Sequence, residues 1–491
     1  MNLPHFQCYI DGAFVDGASS IESVNPATGE IWATFGAASA EETSAAVEAA
    51  HRAFHDPAWT SLTATARGKL LYKLADLLAE HGPRLAELET RDTGKIIRET
   101  SAQIAYIAEY YRYFGGLADK VQGAHLPIDK PDMEVYTRRE PIGVVAALVP
   151  WNSQLFLSAV KLGPALAAGC TIVLKTSEDG SAALLEFARL VDHVGFPKGV
   201  VNIICGLGED CGRVLTSHPL IARVAFTGGP STARRVIQNT AENLAATTLE
   251  LGGKSPVVVF ADADLPSAAN AVVAGIFAAA GQSCVAGSRL IVERRVYDEF
   301  LPILMAKAQS IRIGAPEEHA TEMGPVATHR QLTHIHNVVA ASIAAGARVL
   351  TGGKQPMHLP HGFYYEPTIL SCPGLDTPSM TEELFGPVLS VTSFETEQEA
   401  VTIANTTRFG LASGVFTRDI ARAHRMIGAI RAGMVWVNTY RAISPIAPFG
   451  GYGQSGYGRE GGFDSIDDYT RTKSVWIKTS DAPIPDPFIM R

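Results

Sequence analysis

Charge is scarce in this sequence and never concentrated. Asp, Glu, Lys and Arg supply 19% of the 491 residues, and no run of five or six like charges occurs. A basic footprint for nucleic acid is therefore absent, as is a polybasic membrane patch. Cysteine is rarer still, with six residues and no C-x-x-C pair. That density excludes a disulfide framework and points to reduced thiols in a cytoplasmic compartment. The histidines lack ligand spacing: His334 and His336 stand two apart and do not share a helix face. No metal is expected. The first twelve residues hold no basic stretch followed by an apolar run, so no signal peptide is expected. Uninterrupted apolar runs are missing too. Segments 141–160 and 267–288 are uncharged, but Pro150, Asn152 and Gln154 break the first, and Asn270 and Gln282 break the second. Such interruptions exclude a bilayer span. They suit a buried active site.

The chain is too long for one compact core, so two large domains are expected. Its 45 glycines suit many tight turns. Between residues 141 and 260, short β-branched runs alternate with helical stretches. Strands are expected at 142–149, 171–174, 200–205, 223–226, 247–251 and 257–260, with helices at 155–168 and 181–193. This pattern reads as βαβ units around a parallel sheet. Helices are expected before it at 40–54, 65–81 and 96–117. A second alternating series follows from residue 289 to 437. The segment 470–478 reads as a strand without local partners.

Several short constellations carry chemistry. One expected strand runs into Gly206-Leu-Gly208-Glu-Asp-Cys-Gly212, and another into Phe226-Thr-Gly228-Gly229 before a helix. Both place small residues where backbone N–H groups can meet a phosphate, and both also fit plain turns. Gly451-Tyr-Gly453-Gln-Ser-Gly456 matches G-x-G-x-x-G literally, but it lacks the preceding strand of a βαβ unit and is set aside. Lys175 and Glu178 stand at a strand's carboxyl end, where a ribose could be held or a surface ion pair formed. Cys284 lies in Gly281-Gln-Ser-Cys284-Val-Ala-Gly287, a frame that exposes a nucleophile or packs a structural thiol. Glu250 sits inside an apolar strand, which suits a general base or an ion pair with Lys254. Asn152 follows Pro150-Trp151, where its amide can hold an oxyanion or cap the next helix.

In their order along the chain, Pro150-Trp-Asn152, Lys175-Thr-Ser-Glu178, Phe226-Thr-Gly228-Gly229, Leu249-Glu250-Leu-Gly-Gly-Lys254, Gly281-Gln-Ser-Cys284, Glu382-Glu383-Leu-Phe385-Gly-Pro387 and Pro448-Phe449-Gly-Gly resemble the aldehyde dehydrogenase superfamily. The resemblance spans residues 9–477. It implies an α/β fold: a Rossmann-like NAD-binding domain (1–122 and 142–252), an α/β catalytic domain (253–454) and a small β flap for oligomerisation (123–141 and 455–491). A homodimer or homotetramer follows from it.

The resemblance also implies site roles. Cys284 attacks the aldehyde, Asn152 holds the oxyanion, and Glu250 activates the water that hydrolyses the thioester. Glu460 matches a secondary proton-relay glutamate. Cofactor contacts are implied for Pro150, Trp151, Lys175, Glu178, Gly208, Gly212, Phe226, Gly228, Gly229, Leu251, Glu383 and Phe385. Glu178 favours NAD, with NADP possible. Ser153, Leu157, Val160, Ser283, Val285, Ile443 and Phe449 should line the substrate channel, whose small and aliphatic character suits a bulky or cyclic aldehyde. Arg441 near the mouth offers an alternative, a semialdehyde read through its distal carboxylate. Thr176, Gly229, Ser153-Gln154 and Gly453 depart from the common family pattern, which bears on cofactor affinity and the shape of the mouth. A catalytically silent binding protein of this fold is the alternative of another class, and the intact Cys284, Glu250 and Asn152 argue against it.

Overall fold

The structure, a computed structural model, describes residues 3–489. Two large sheets organise it. The first has the spatial order Gly456–Tyr457, Ala246–Leu251, Ile221–Gly228, Val144–Leu148, Thr171–Lys175, Val201–Ile204, Cys8–Ile10, Ala13–Val15. Its five central strands are parallel, and the strands at both ends pair antiparallel. Parallel strands buried on both faces need continuous apolar runs, and Val144–Leu148 is buried along its whole length. The chain lays down 144–148, 171–175 and 201–204 towards one side, then returns to place 221–228 on the other side of 144–148. That reversal opens a crevice at the carboxyl ends of the strands.

The second sheet has the order Arg348–Thr351, Thr368–Ser371, Val388–Phe394, Arg289–Glu293, Pro256–Val259, Ala412–Phe416, Met434–Val437. All its pairings are parallel except the first. Each sheet has its own principal apolar cluster, in line with the two cores expected from length. The strand Thr470–Lys478 finds a distant partner, pairing antiparallel with Met133–Pro141 over nine residues, with His125–Leu126 beyond.

The structure differs from the sequence reading in three places. The helix expected at 65–81 runs from Ala64 to Thr93, through Pro83, and closes on left-handed Gly94. An interior proline costs about 3 kcal/mol. Burial of Leu85, Ala86 and Leu88 in the added turns offsets it. A three-stranded sheet forms from His5–Phe6, Glu30–Ala37 and Ser19–Asn25, in a region where no strands were anticipated. Gly456–Tyr457 joins the edge of the first sheet beside Glu250, although residues 455–491 were assigned to the flap segment. No helix among the described residues is long and apolar enough to cross a membrane.

Candidate active site

Cys284 is presented by a contorted turn. After the helix Leu265–Phe277, Ala279 and Ala280 both take left-handed backbone, at φ 52° and 51°, followed by Gly281 at 74°. An L-residue pays about 1–2 kcal/mol for that conformation. Gly281 is required, because a Cβ there would collide with the Gly386 carbonyl. The thiol emerges half-buried, whereas the other five cysteines are buried. Burial, then the carboxylates of Glu383 and Glu250, push the Cys284 thiol up to about 12. Ionising it therefore requires a base or a nearby positive charge.

Asn152 lies in the short turn Trp151–Ser153, just past the carboxyl end of Val144–Leu148. Its Nδ2 donates to the Gln282 carbonyl at 3.1 Å, two residues from Cys284. The following helix, Gln154–Ala168, starts without a side-chain cap, so Asn152 does not serve as one.

Glu250 is 2% exposed, and neither carboxylate oxygen receives a hydrogen bond from the described residues. Gly450 makes room for it, since a Cβ there would sit 2.7 Å from Oε1. Burial, reinforced by the charge of Glu460, raises the Glu250 carboxyl well above the usual carboxylate range, against the opposing pull of Lys161 and Arg459. The alternative partner, Lys254, is not engaged. Its ammonium is buried with no hydrogen bond, and burial followed by Arg289 pulls it down to about 7.

Glu460 forms a buried ion pair with Lys161, whose Nζ also donates to Thr227 Oγ1 at 2.7 Å. Sequence reasoning missed Lys161. The signal was there: it is the sole charge in the helix Gln154–Ala168. Glu383 reaches beneath the Cys284 loop, and its Oε1 accepts the Gly253 N–H at 3.0 Å. Its carboxyl is raised by burial to about 7.

Two cavities are lined in part by the segment 150–153. One, of about 370 Å³, is lined by Cys284, Asn152 and Glu460 together with Ser153, Leu157, Val160, Ser283, Val285, Ile443 and Phe449. Arg441 also lines it, as do Gln103, Tyr110 and Trp436, which the sequence did not suggest. The other, of about 840 Å³, lies over the carboxyl ends of the first sheet. Pro150, Trp151, Lys175, Glu178, Gly208, Gly212, Phe226, Gly228 and Gly229 all line it. Lys175 is buried, donates to the Thr176 carbonyl at 2.9 Å, and lies 4.0 Å from Glu178. Gly229 caps the helix Pro230–Thr240 without a side-chain acceptor, leaving its first N–H groups free. Three expected cofactor residues stand outside this lining. Leu251 is buried with its N–H on the Ser455 carbonyl, Glu383 sits on Gly253, and Phe385 packs edge-on against Trp151 at 5.4 Å.

Comparison with known proteins identifies the family. The chain is 60% identical, over all of both chains, to the (Z)-2-((N-methylformamido)methylene)-5-hydroxybutyrolactone dehydrogenase of Acinetobacter baylyi. Its structure is similar to that of betaine aldehyde dehydrogenase from Staphylococcus aureus in complex with NAD+, with TM-score 0.96 and 38% identity over 99% of this chain and 96% of that one. It is likewise similar to the NAD+ complex of an aldehyde dehydrogenase from Bacillus cereus, with TM-score 0.95 and 40% identity over 97% of each chain. The model of the aldehyde dehydrogenase family matches residues 14–475. A half-buried thiol beside a side-chain amide and an unpaired buried glutamate thus occurs here in a member of the aldehyde dehydrogenase family.

Proposed function

We propose that the chain oxidises an aldehyde to the free carboxylic acid with NAD+ as hydride acceptor. One observation carries the reading: Glu250 is buried, unpaired and raised in pKa beside the thiol it would serve. The larger cavity fits the dinucleotide. Glycines open its floor, free helix N–H groups suit a pyrophosphate, and Lys175 with Glu178 suits a ribose. A 2′-phosphate would meet the charge of Glu178, so NAD is preferred over NADP. Leu251 would pack near the cofactor, and Glu383 and Phe385 would hold its nicotinamide end.

Cys284 Sγ, its proton lost to water under the positive charge that NAD+ would bring, attacks the aldehyde carbon while Asn152 Nδ2 and the Cys284 N–H receive the oxyanion. When bound, the nicotinamide supplies the hydride acceptor. Loss of that hydride leaves a thioester on Cys284. Glu250 then takes a proton from water, whose oxygen adds to the thioester carbon and releases the acid and the Cys284 thiolate. Glu460 and Lys161 would carry that proton outward. Without a base at position 250, water would not compete for the thioester, so Glu250 argues for hydrolysis rather than acyl transfer. The test is formation of reduced nicotinamide over a panel of aldehydes, with turnover expected only in the presence of NAD+ or NADP+. No turnover of any aldehyde would overturn the reading.

The small and aliphatic channel residues suit a bulky or ring-bearing aldehyde. We expect a higher kcat/KM for a cyclic aldehyde than for acetaldehyde, and parity or the reverse would reject that specificity. A second reading rests on Arg441, a cation in the cavity lining that makes a single hydrogen bond, to the Ala274 carbonyl at 3.2 Å. The Acinetobacter relative is named for a 5-hydroxybutyrolactone. Such a lactone is the ring tautomer of a 4-oxo acid, and only the open form offers an aldehyde carbonyl to the thiol. The open form also frees a carboxylate for Arg441. A charged hydrogen bond is worth about 1.5–3 kcal/mol. Arg441→Ala should therefore lower kcat/KM for succinic semialdehyde about tenfold or more and leave butanal nearly unchanged. Equal losses would reject the role.

We further infer that the first sheet serves the cofactor, the second the thiol chemistry, and the flap the assembly. The flap exposes Trp476 and Ile477 on its outer strand. Sedimentation should show a dimer or tetramer at micromolar concentration, and a monomer would refute it. A cytoplasmic location fits the free thiols.

A further inference from the structure

The start of the helix Ile97–Leu117 touches both halves of the oxyanion site, and nothing in the reaction itself explains why. Glu99 lies in its first turn, and both of its carboxylate oxygens accept the Ala279 N–H, at 3.0 and 3.1 Å. Ala279 opens the left-handed run 279–281 that leads to Cys284. Just before the helix, Lys95 is buried and shares its ammonium among Glu89 at 2.9 Å, Gln103 at 3.0 Å and Ser153 Oγ at 2.9 Å. Ser153 Oγ in turn donates to the Asn152 carbonyl at 2.6 Å. The helix start is also tied to residues 316–321, since the Ile97 N–H donates to the Pro316 carbonyl and Arg98 to the Thr321 carbonyl.

Two consecutive alanines do not hold left-handed backbone unaided. The Ala279 N–H points out of the turn, and the Glu99 carboxylate is its acceptor. From Ala279 the path to the reacting atoms is short. The Ala279 carbonyl accepts from both the N–H and the side-chain amide of Gln282, and the Gln282 carbonyl accepts from Asn152. We propose that Glu99 is a positioning residue for the chemical step: it holds the strained turn that sets Cys284 against the Asn152 amide. It touches neither aldehyde nor cofactor. The inference rests on Cys284 as nucleophile, and the experiment separates the two ideas.

The experiment uses the full-length enzyme and four variants: Glu99→Ala, Glu99→Gln, Ala279→Gly, and Glu99→Ala combined with Ala279→Gly. The readouts are kcat and KM for one aldehyde, NAD+ affinity by fluorescence titration, and the rate of Cys284 alkylation by iodoacetamide. Misplacing a reacting group by about 1 Å costs up to about 100-fold. Glu99→Ala should lower kcat by about 10- to 100-fold and change the alkylation rate, with KM and NAD+ affinity within about twofold of wild type. Glu99→Gln keeps an acceptor oxygen and should lose much less. Glycine adopts the left-handed conformation without strain, so Ala279→Gly should restore most of the kcat lost in Glu99→Ala. An unchanged kcat in Glu99→Ala would overturn the proposal. So would a loss that Ala279→Gly does not restore, or one that falls equally on NAD+ affinity. Should Glu99→Ala fail to fold, the double variant decides: a folded enzyme with kcat near that of wild type supports the proposal, and a folded enzyme that has lost tenfold or more in kcat overturns it. If Cys284 were not the nucleophile, iodoacetamide would leave wild-type turnover intact, a result independent of Glu99.

Discussion

Replacing Cys284 by alanine should abolish turnover, with kcat falling by about 10⁴-fold or more. The thiol is the only half-buried cysteine among six and lines the cavity with Asn152, so no neighbouring sulfur can substitute. The substitution removes the bond-forming atom and leaves the dinucleotide cleft intact, because Cys284 is not part of that lining. NAD+ affinity measured by fluorescence should therefore stay within about twofold of wild type while aldehyde-dependent reduction disappears. Residual activity above about one per cent would mean that hydride transfer proceeds without a covalent intermediate.

Glu250→Gln should divide the reaction in two. Thiol attack and hydride loss need no general base at the water step, so rapid mixing should show a burst of about one reduced nicotinamide per active site. Steady-state turnover should then fall by about 10²–10⁴-fold, the usual contribution of a positioned base. Intact-mass measurement should find the acyl group on Cys284. Loss of the burst along with the steady state would place Glu250 before the thioester. The pH profile supplies a second check. Only the carboxylate form accepts a proton, and burial with Glu460 holds its pKa above the ordinary range. Hydrolysis should therefore rise with pH on a limb displaced upward from an exposed glutamate, and Glu250→Gln should flatten that limb.

Local signals single out the candidate centre in the sequence alone. A cysteine bracketed by glycines, a glutamate in an apolar strand and an asparagine after a strand end each violate a packing rule, and such violations mark function. The parallel strands were readable because βαβ units repeat a local pattern. The N-terminal strands were not: segments such as His5–Phe6 and Cys8–Ile10 are too short to carry periodicity, and the longer Ser19–Asn25 and Glu30–Ala37 pair antiparallel outside any βαβ pattern. The continuation of the helix through Pro83 depended on tertiary burial. Glu99 was invisible for a different reason: its partner lies 180 residues away, and nothing near either residue announces the other.

The two cavities share no lining residue, and only the smaller one is lined by the thiol. On the proposed assignment, the aldehyde and the dinucleotide would have separate doorways. Neither has to leave before the other can enter, and neither wall constrains the residues of the other. Changes at Leu157, Val160, Ile443 or Phe449 can retune what is oxidised while the redox partner stays the same. That independence makes one scaffold reusable for many aldehydes, with each acquired specificity confined to one side of a common reaction centre.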